Sequence, residues 1–282
     1  MRTAFVLTGG GSLGALQVGM LRALVEAGET ADMVVGTSAG ALVGAAFAIA
    51  PSDEAAIEAQ VKLWSEVERD DIFDFSIFTF AKGLLGQPYL YEQEALRELL
   101  EAQSPVERIE DARLPLHLVA ADLHTGEEVV LSSGSLIEGL LASSAIPVVF
   151  PPVPWGERLL VDGGITANAP LKPAFDAGAT RLIVLPTGFS CGVVGGPESA
   201  LEMASHVINL NQSHQLARDV EALTELAEVR IVPPPCPLGV RSGDFSRSVE
   251  LMDRASEHTR EWLAEGGLHR PHIPCALKPH RH

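Results

Sequence analysis

The sequence predicts an α/β fold with a mostly parallel sheet that helices cover on both faces. In the first fifty residues, short β-rich runs alternate with longer helical patterns, in the order strand, helix, strand, helix. The second helix, within SAGALVGAAFAIA (residues 38–50), is apolar on nearly every face, so we expect it to be buried on nearly every face. Strands that alternate with helices in this way usually form parallel sheets.

The same patterns predict the remaining elements as far as the C-terminal region. Predicted strands cover residues 3–8, 32–36, 114–123, 127–132, 158–164, 181–187 and 229–235. Predicted helices cover residues 15–28, 38–50, 53–69, 135–145, 199–228 and 245–264. Prolines limit residues 147–156 to an extended connection, and residues 268–282 are predicted to form an irregular tail. We expect one domain over residues 1–267, because no boundary between independent units is apparent.

Composition excludes several classes of protein. The net charge of −17 disfavours nucleic-acid binding, which depends on Lys and Arg that neutralise phosphates. The three scattered cysteines lack C-x-x-C spacing and indicate a reducing compartment. The N-terminus does not resemble a signal peptide, and the longest apolar stretch is too short to span a bilayer. We therefore expect a cytoplasmic protein, with contact at membrane surfaces left open.

The first motif, TGGGSLGA, follows the first predicted strand. Gly9, Gly11 and Gly14 have the spacing of a dinucleotide-binding loop. That function also requires an acidic residue at the end of the second strand, but Asp32 stands at the start of this strand, and Gly36, Thr37 and Ser38 occupy the positions where the acid should be. The alternative is that the N–H groups of the loop stabilise another negative charge at a helix N-terminus. A nucleotide-binding oxidoreductase is therefore the least favoured hypothesis.

The second motif, GTSAG (residues 36–40), is a G-x-S-x-G sequence between a predicted strand and a predicted helix. In this setting a serine is exposed on a sharp turn, and here the serine is Ser38. The N–H of the next residue, Ala39, would point at the oxyanion formed when Ser38 attacks a carbonyl group. If the first two strands are parallel neighbours, the glycine loop lies beside Ser38 and completes the oxyanion hole.

A nucleophilic serine needs a base, and the sequence offers two kinds. His206 and His214 have the chain order of an α/β-hydrolase histidine, but they lie in a predicted helix where a packed or surface role is more common. Asp162 lies in LLVDGG, at a strand end followed by glycines that permit close backbone approach. Burial would raise the pKa of this aspartate and make it a better base. A structural aspartate that caps the next turn is the alternative.

These motifs together resemble the patatin-like phospholipases. GGGSLG, GTSAG, SSAIPVVFPPV and VDGGITANAP occur in the order and spacing of that family, from Thr3 to about Pro173. The resemblance implies a three-layer α/β/α fold and a Ser–Asp dyad without histidine. It implies that Ser38 is the nucleophile and Asp162 the base, with Gly9, Gly10 and Gly11 in the oxyanion hole. Asn168 and Pro170 match a structural segment that follows the aspartate.

Leu13 departs from the family pattern, because the glycine loop commonly carries Arg or Lys there. Two hypotheses follow. The first is a serine acyl hydrolase that cleaves ester bonds of lipids and phospholipids and releases fatty acid, with no metal or organic cofactor and no requirement for calcium. The second is a non-catalytic lipid- or acyl-binding protein in which the missing cation has weakened the site.

Four of the ten phenylalanines lie in DIFDFSIFTFAKGLL (residues 71–85). This segment is the candidate for contact with acyl chains or, transiently, with a membrane surface. The alternative is that its aromatic side chains are buried beneath a cap over the sheet. The partner expected from the sequence is a lipid or other acyl ester, and the oligomeric state is not predicted.

Overall fold

The structure is a computed structural model that describes residues 1–72, 88–187 and 200–270. Its strands are β1 (Thr3–Leu7), β2 (Met33–Thr37), β3 (Leu116–Asp122), β4 (Glu128–Leu131), β5 (Val153–Trp155), β6 (Arg158–Asp162), β7 (Arg181–Leu185) and β8 (Glu228–Ile231). Its α-helices are α1 (Gly14–Glu26), α2 (Ala39–Ile49), α3 (Glu54–Glu66), α4 (Glu94–Gln103), α5 (Leu136–Ser143), α6 (Leu171–Asp176), α7 (Ala200–Leu223) and α8 (Ser248–Ala264). Single 3₁₀ turns include Gly11–Leu13 and Gly163–Ile165.

The strands form one mixed sheet with the hydrogen-bonded order β5-β6-β3-β2-β1-β7-β8, and β4 also pairs with β3. β1 is parallel to both β2 and β7, β2 is parallel to β3, and β7 is parallel to β8. The pairs β3–β4, β3–β6 and β5–β6 are antiparallel. The predicted mostly parallel sheet is therefore confirmed.

Side chains alternate along each central strand and divide the core into two layers. Phe5 and Leu7 of β1 belong to a cluster that includes side chains of α1, α2, α5 and α8. Ala4 and Val6 belong to a second cluster, on the other face, with side chains of α6 and α7. Because successive side chains of a strand point to opposite faces, the sheet lies between two helical layers. Burial of each large apolar side chain stabilises the fold by about 1.5–3 kcal/mol.

The predicted strands and helices are present with shifts at their ends, and the differences have local causes. α4 and α6 were not predicted, and β5 lies in the segment predicted as an extended connection. β5 tolerates Pro154 because it is the edge strand at one end of the sheet. α7 ends at Leu223, five residues before the predicted end, because β8 begins at Glu228. No helix in the described ranges is long and apolar enough to cross a membrane.

The pairing of β3 decides which residues meet at the end of the sheet. β2 and β4 both pair with residues 118–119, so they lie on opposite edges of β3. β4 and β6 both pair with residues 120–121, so they too lie on opposite edges. β2 and β6 therefore share one edge of β3 and meet end to end. Thr37 lies opposite Val119, and Asp162 lies opposite Ala120. We call this junction the β2–β6 seam.

Gly40 tests how closely α2 packs on the sheet. A Cβ atom at this position would lie 2.4 Å from the carbonyl oxygen of Leu7 and 2.6 Å from that of Thr8. Since both obstacles are backbone atoms, we expect Gly40→Ala to lower the free energy of unfolding by about 1–3 kcal/mol. Urea denaturation measures this change.

Gly243→Ala is the matched control, because a Cβ atom there would meet no other atom within 4 Å. We expect this substitution to change the free energy of unfolding by less than about 0.5 kcal/mol. Equal losses in the two variants would contradict the close packing of α2 on β1.

Candidate active site

Ser38 lies on the sharp turn between β2 and α2. Its backbone has φ 54° and ψ −127°, which is rare for a residue other than glycine. Such a conformation costs about 1–3 kcal/mol and persists only where the surrounding structure enforces it. Gly36 and Gly40 allow the turn, because a Cβ atom on Gly36 would lie 2.5 Å from the carbonyl oxygen of Gly40. The tight packing of the turn therefore holds Ser38 in a strained conformation.

Asp162 is the last residue of β6, and only 6% of its surface is exposed. Its Oδ1 accepts a hydrogen bond of 2.7 Å from the Gly164 N–H, so the carboxyl group caps the following 3₁₀ turn. The side chain of Ser38 lies close enough to the carboxyl group to lower its pKa by hydrogen bonding. Burial raises the pKa of Asp162 to about 6, although the hydrogen bonds from Ser38 and Gly164 act to lower it. Asp162 caps the 3₁₀ turn, as the structural interpretation predicted, and this capping is compatible with the interpretation of Asp162 as a base.

The glycine loop is fixed on both sides. The Gly9 N–H donates to the Asn168 carbonyl oxygen (3.1 Å), and the Gly9 carbonyl oxygen accepts from Thr187 Oγ1 (2.7 Å) and Asn168 Nδ2 (3.4 Å). Gly11 has φ +60°, and a Cβ atom on it would lie 2.3 Å from the Ser242 carbonyl oxygen. The Ser12 N–H donates to that same oxygen (3.0 Å). The loop therefore has little freedom to move.

The loop also lies against the turn that carries Ser38. A Cβ atom on Gly9 would be 3.1 Å from Cβ of Ser38. Within the described residues, the N–H groups of Gly10, Gly11 and Ala39 have no hydrogen-bond acceptor. The Gly9 N–H, by contrast, is already bonded to Asn168. Three of the four N–H groups predicted for the oxyanion hole are thus available.

Three buried polar residues around the site were not singled out from the sequence. Gln17 donates from Nε2 to the carbonyl oxygens of Thr8 (2.9 Å) and Leu185 (2.8 Å), where β1 and β7 end. Thr187 binds the Gly9 carbonyl oxygen, as described above. Ser143, the last residue of α5, accepts a hydrogen bond of 3.0 Å from the Ser38 N–H. For Gln17 a signal existed, since it is an isolated polar residue in the apolar run ALQVGML.

The other residues considered in the sequence do not join this site. No histidine hydrogen-bonds to Ser38 or Asp162 in the part of the chain that the structure describes. His117 lies on β3, where burial is the main cause that lowers its pKa. His206 and His214 lie in α7, whose Gln212 donates from Nε2 to the Gly164 carbonyl oxygen (2.9 Å). Leu13 packs against the hydrophobic core.

Ser38 is one of the residues that line an apolar pocket of about 320 Å³. α2, α3, α4 and α5 supply most of its walls, and none of the described lining residues is charged. Representative lining residues are Leu42, Ala46, Leu63, Leu100, Leu140 and Ile146. Its size and character are those of a small-molecule site that takes an apolar group. Of the phenylalanine-rich segment, only Asp71 and Ile72 lie within the described residues, and Ile72 lines the pocket.

The fold and the site define an α/β protein with a buried Ser–Asp pair beside an apolar pocket. The model of the patatin-like phospholipase family matches residues 5–175. The chain belongs to this family.

Individual relatives agree with that membership. An uncharacterized NTE family protein of Mycobacterium tuberculosis is 29% identical over 250 residues, which cover 82% of this chain and 41% of that protein. Patatin-like phospholipase domain-containing protein 7 of Rattus norvegicus is 31% identical over 66% of this chain and 13% of its own length. The chain thus spans less than half the length of these relatives. Human GIVD cytosolic phospholipase A2 has a similar fold, with a TM-score of 0.52 and 12% identity over 98% of this chain and 60% of that structure.

The raised pKa of Asp162 makes a prediction about stability. Between the ordinary pKa of 3.8 and the folded pKa of about 6, the folded protein binds more protons than the unfolded chain. The free energy of unfolding therefore falls as pH rises through this window, by about 2–3 kcal/mol in total. Asp162→Asn is uncharged and keeps an acceptor for the Gly164 N–H. We expect it to be more stable than the wild type by about this amount at pH 8.

Urea denaturation at pH 8 and pH 4 checks the prediction. The advantage of Asp162→Asn is expected to disappear at pH 4, where the wild-type carboxyl group is protonated in the folded protein. An equal difference at both pH values would contradict a raised pKa at Asp162.

Proposed function

We propose that the protein is a serine acyl hydrolase that cleaves ester bonds of lipids, phospholipids included, and releases free fatty acid. The observation that carries the proposal is the buried pair formed by Ser38, which lines the apolar pocket, and Asp162, whose pKa burial raises to about 6. A base with such a pKa is largely deprotonated at neutral pH yet stronger than an ordinary aspartate. Membership of the patatin-like phospholipase family supports the same chemistry.

In the first step, Ser38 Oγ attacks the ester carbonyl carbon while Asp162 takes the hydroxyl proton. A tetrahedral intermediate forms, and its negative charge develops on the former carbonyl oxygen. When this intermediate collapses, the bond to the alcohol breaks and Asp162 returns the proton to the departing oxygen. The acyl group remains attached to Ser38.

In the second step, water hydrolyses the acyl-enzyme. Asp162 accepts a proton from the water as it attacks, and returns the proton to Ser38 Oγ when the fatty acid leaves. Each step uses only groups of this chain, the substrate and water. Asp162 is unprotonated at the start and at the end of the cycle.

The oxyanion hole is assigned to the N–H groups of Gly10, Gly11 and Ala39. None of them has an acceptor among the described residues, so they can donate without breaking an existing bond. Ala39 also begins α2, whose N-terminus favours negative charge. The Gly9 N–H is committed to Asn168, and Gly9 is therefore assigned the part of holding the loop against Ser38. Donors fixed in advance cost no reorganisation when the charge develops.

The apolar pocket is assigned to the acyl chain. Ser38 and Gly11 line it together with apolar side chains of α2, so the alkyl chain of an ester placed beside Ser38 can extend along these side chains. Because the described lining residues are uncharged, the headgroup of a lipid is expected to stay outside the pocket. The described part of the site keeps its dyad and glycines despite Leu13, which favours catalysis over a purely lipid-binding function. Contact of residues 71–85 with a membrane and a cytoplasmic location stay predictions.

The dyad is tested by activity on p-nitrophenyl esters. We expect Ser38→Ala to lose at least about 10⁴-fold in kcat and Asp162→Asn at least about 10³-fold, because nucleophile and base act as one unit. Wild-type kcat/KM is expected to rise with pH through about 6 as Asp162 loses its proton. A fluorophosphonate probe is expected to label the wild type and not Ser38→Ala.

Two substitutions serve as matched controls. Asp122→Asn changes another aspartate that is 6% exposed, and Ser256→Ala changes another buried serine. Both should keep kcat within about threefold, since neither side chain contacts Ser38 or Asp162. A wild type that neither hydrolyses esters nor takes the label would favour the lipid-binding hypothesis. Turnover that survives Ser38→Ala would overturn the assigned nucleophile.

The acyl pocket is tested by Ala46→Phe, which places an aromatic ring in the pocket from α2. We expect kcat/KM for the octanoyl ester to fall by about 10- to 100-fold, because the ring fills the space that the longer chain would occupy among the apolar side chains. The acetyl ester is the internal control and should change by less than about threefold. Equal losses for both esters would contradict the assignment of the pocket to the acyl chain.

A further inference from the structure

Ser143 joins two backbone groups at the β2–β6 seam. Its Oγ donates a hydrogen bond of 2.6 Å to the Val119 carbonyl oxygen and accepts one of 3.0 Å from the Ser38 N–H. The residue is completely buried. A serine hydroxyl can do both at once because it has one donor hydrogen and two acceptor lone pairs.

The position of this hydroxyl explains why it is needed. The pairing of β2 with β3 ends at Thr37 and Val119, because Ser38 turns away from the sheet. Without Ser143, the buried N–H of Ser38 and the carbonyl oxygen of Val119 would each lose the hydrogen bond that Ser143 provides. Buried backbone groups without a partner are costly, so the hydroxyl also stabilises the strained turn.

The same short segment also holds the other member of the dyad. The Asp162 N–H donates to the Ala145 carbonyl oxygen at 2.9 Å, two residues after Ser143. Residues 143–145 therefore bind the backbones of both Ser38 and Asp162. These residues belong to the motif SSAIPVVFPPV, which supplies no reacting group in the proposed mechanism.

We infer that Ser143 is a positioning residue, which holds the Ser38 backbone at the distance from Asp162 that proton transfer requires. The inference rests on the proposed function, since it concerns the dyad of that reaction. Ser143 does not contact the reacting atoms, because its hydroxyl is directed at the two backbone groups. Its loss lets the Ser38 turn relax from its strained conformation and lengthens the path of the proton.

The test is the steady-state hydrolysis of p-nitrophenyl butyrate by Ser143→Ala. We expect kcat to fall by about 10- to 100-fold, as for small misplacements of reacting groups, with KM within about twofold of the wild type. The acidic limb of the kcat/KM profile is expected to move to higher pH, because a weaker hydrogen bond from Ser38 lowers the pKa of Asp162 less. A purely structural role would not move this limb in the protein that remains folded.

Ser256→Ala is the matched control, because its buried hydroxyl has no hydrogen-bond partner among the described residues. Ser143→Cys keeps the shape of the serine but offers a weaker donor and acceptor, so it decides the question if Ser143→Ala does not fold. We expect Ser143→Cys to have at most about a third of the wild-type kcat and the same direction of pH shift.

Wild-type kcat and an unmoved acidic limb in a folded Ser143→Ala or Ser143→Cys would overturn the positioning role. The proposed function has a separate test, since it fails when Ser38→Ala retains turnover. An inactive Ser38→Ala together with a fully active Ser143→Ala would therefore refute this inference alone.

Discussion

The site depends on two strands of opposite direction that end against the same edge of β3. β2 arrives from one side and β6 from the other, so the residue after Thr37 and the last residue of β6 face each other. In a fully parallel sheet, all strand ends would point the same way and no two strands could meet in this manner. The antiparallel β6 is therefore the feature that brings Asp162 to Ser38.

This junction is costly, and the surrounding structure offsets the cost. Ser38 has a positive φ, and Asp162 is a carboxyl group buried away from water. Each feature opposes folding by one to several kcal/mol, while the two hydrophobic clusters on the faces of the sheet favour it by far more. The same two features place Ser38 on a sharp turn that lines the apolar pocket and give the aspartate a raised pKa. Instability at the site and reactivity thus have a common physical origin.

The sequence predicted the features that depend on local geometry. GTSAG indicates a tight turn because its glycines and Ala39 lie within five residues, and LLVDGG indicates a strand that ends in a carboxylate. The alternation of strands and helices predicted a parallel sheet but left open whether β1 and β2 are neighbours, and the structure shows that they are parallel neighbours. The resemblance to a known family then connected Ser38 with Asp162, which lie 124 positions apart by subtraction of their numbers.

What the sequence did not predict depends on contacts between distant segments. The role of Ser143 follows from where β2 leaves β3, which no local pattern encodes. The bond from the Gly9 N–H to Asn168 likewise joins a loop to a turn far along the chain. The apolar pocket has walls from four helices, and α4 was itself not predicted. Such features can be predicted only when the pairing register of the whole sheet is known.

The most direct test is the pKa of Asp162 in the folded protein, measured by ¹³C NMR of labelled aspartate carboxyl groups. Asp162→Asn identifies the resonance by its loss. We predict that this carboxyl group titrates near pH 6, and at higher pH in Ser38→Ala, where the hydrogen bond that lowers its pKa is absent. Titration near pH 4, unchanged by Ser38→Ala, would contradict a buried aspartate paired with the serine.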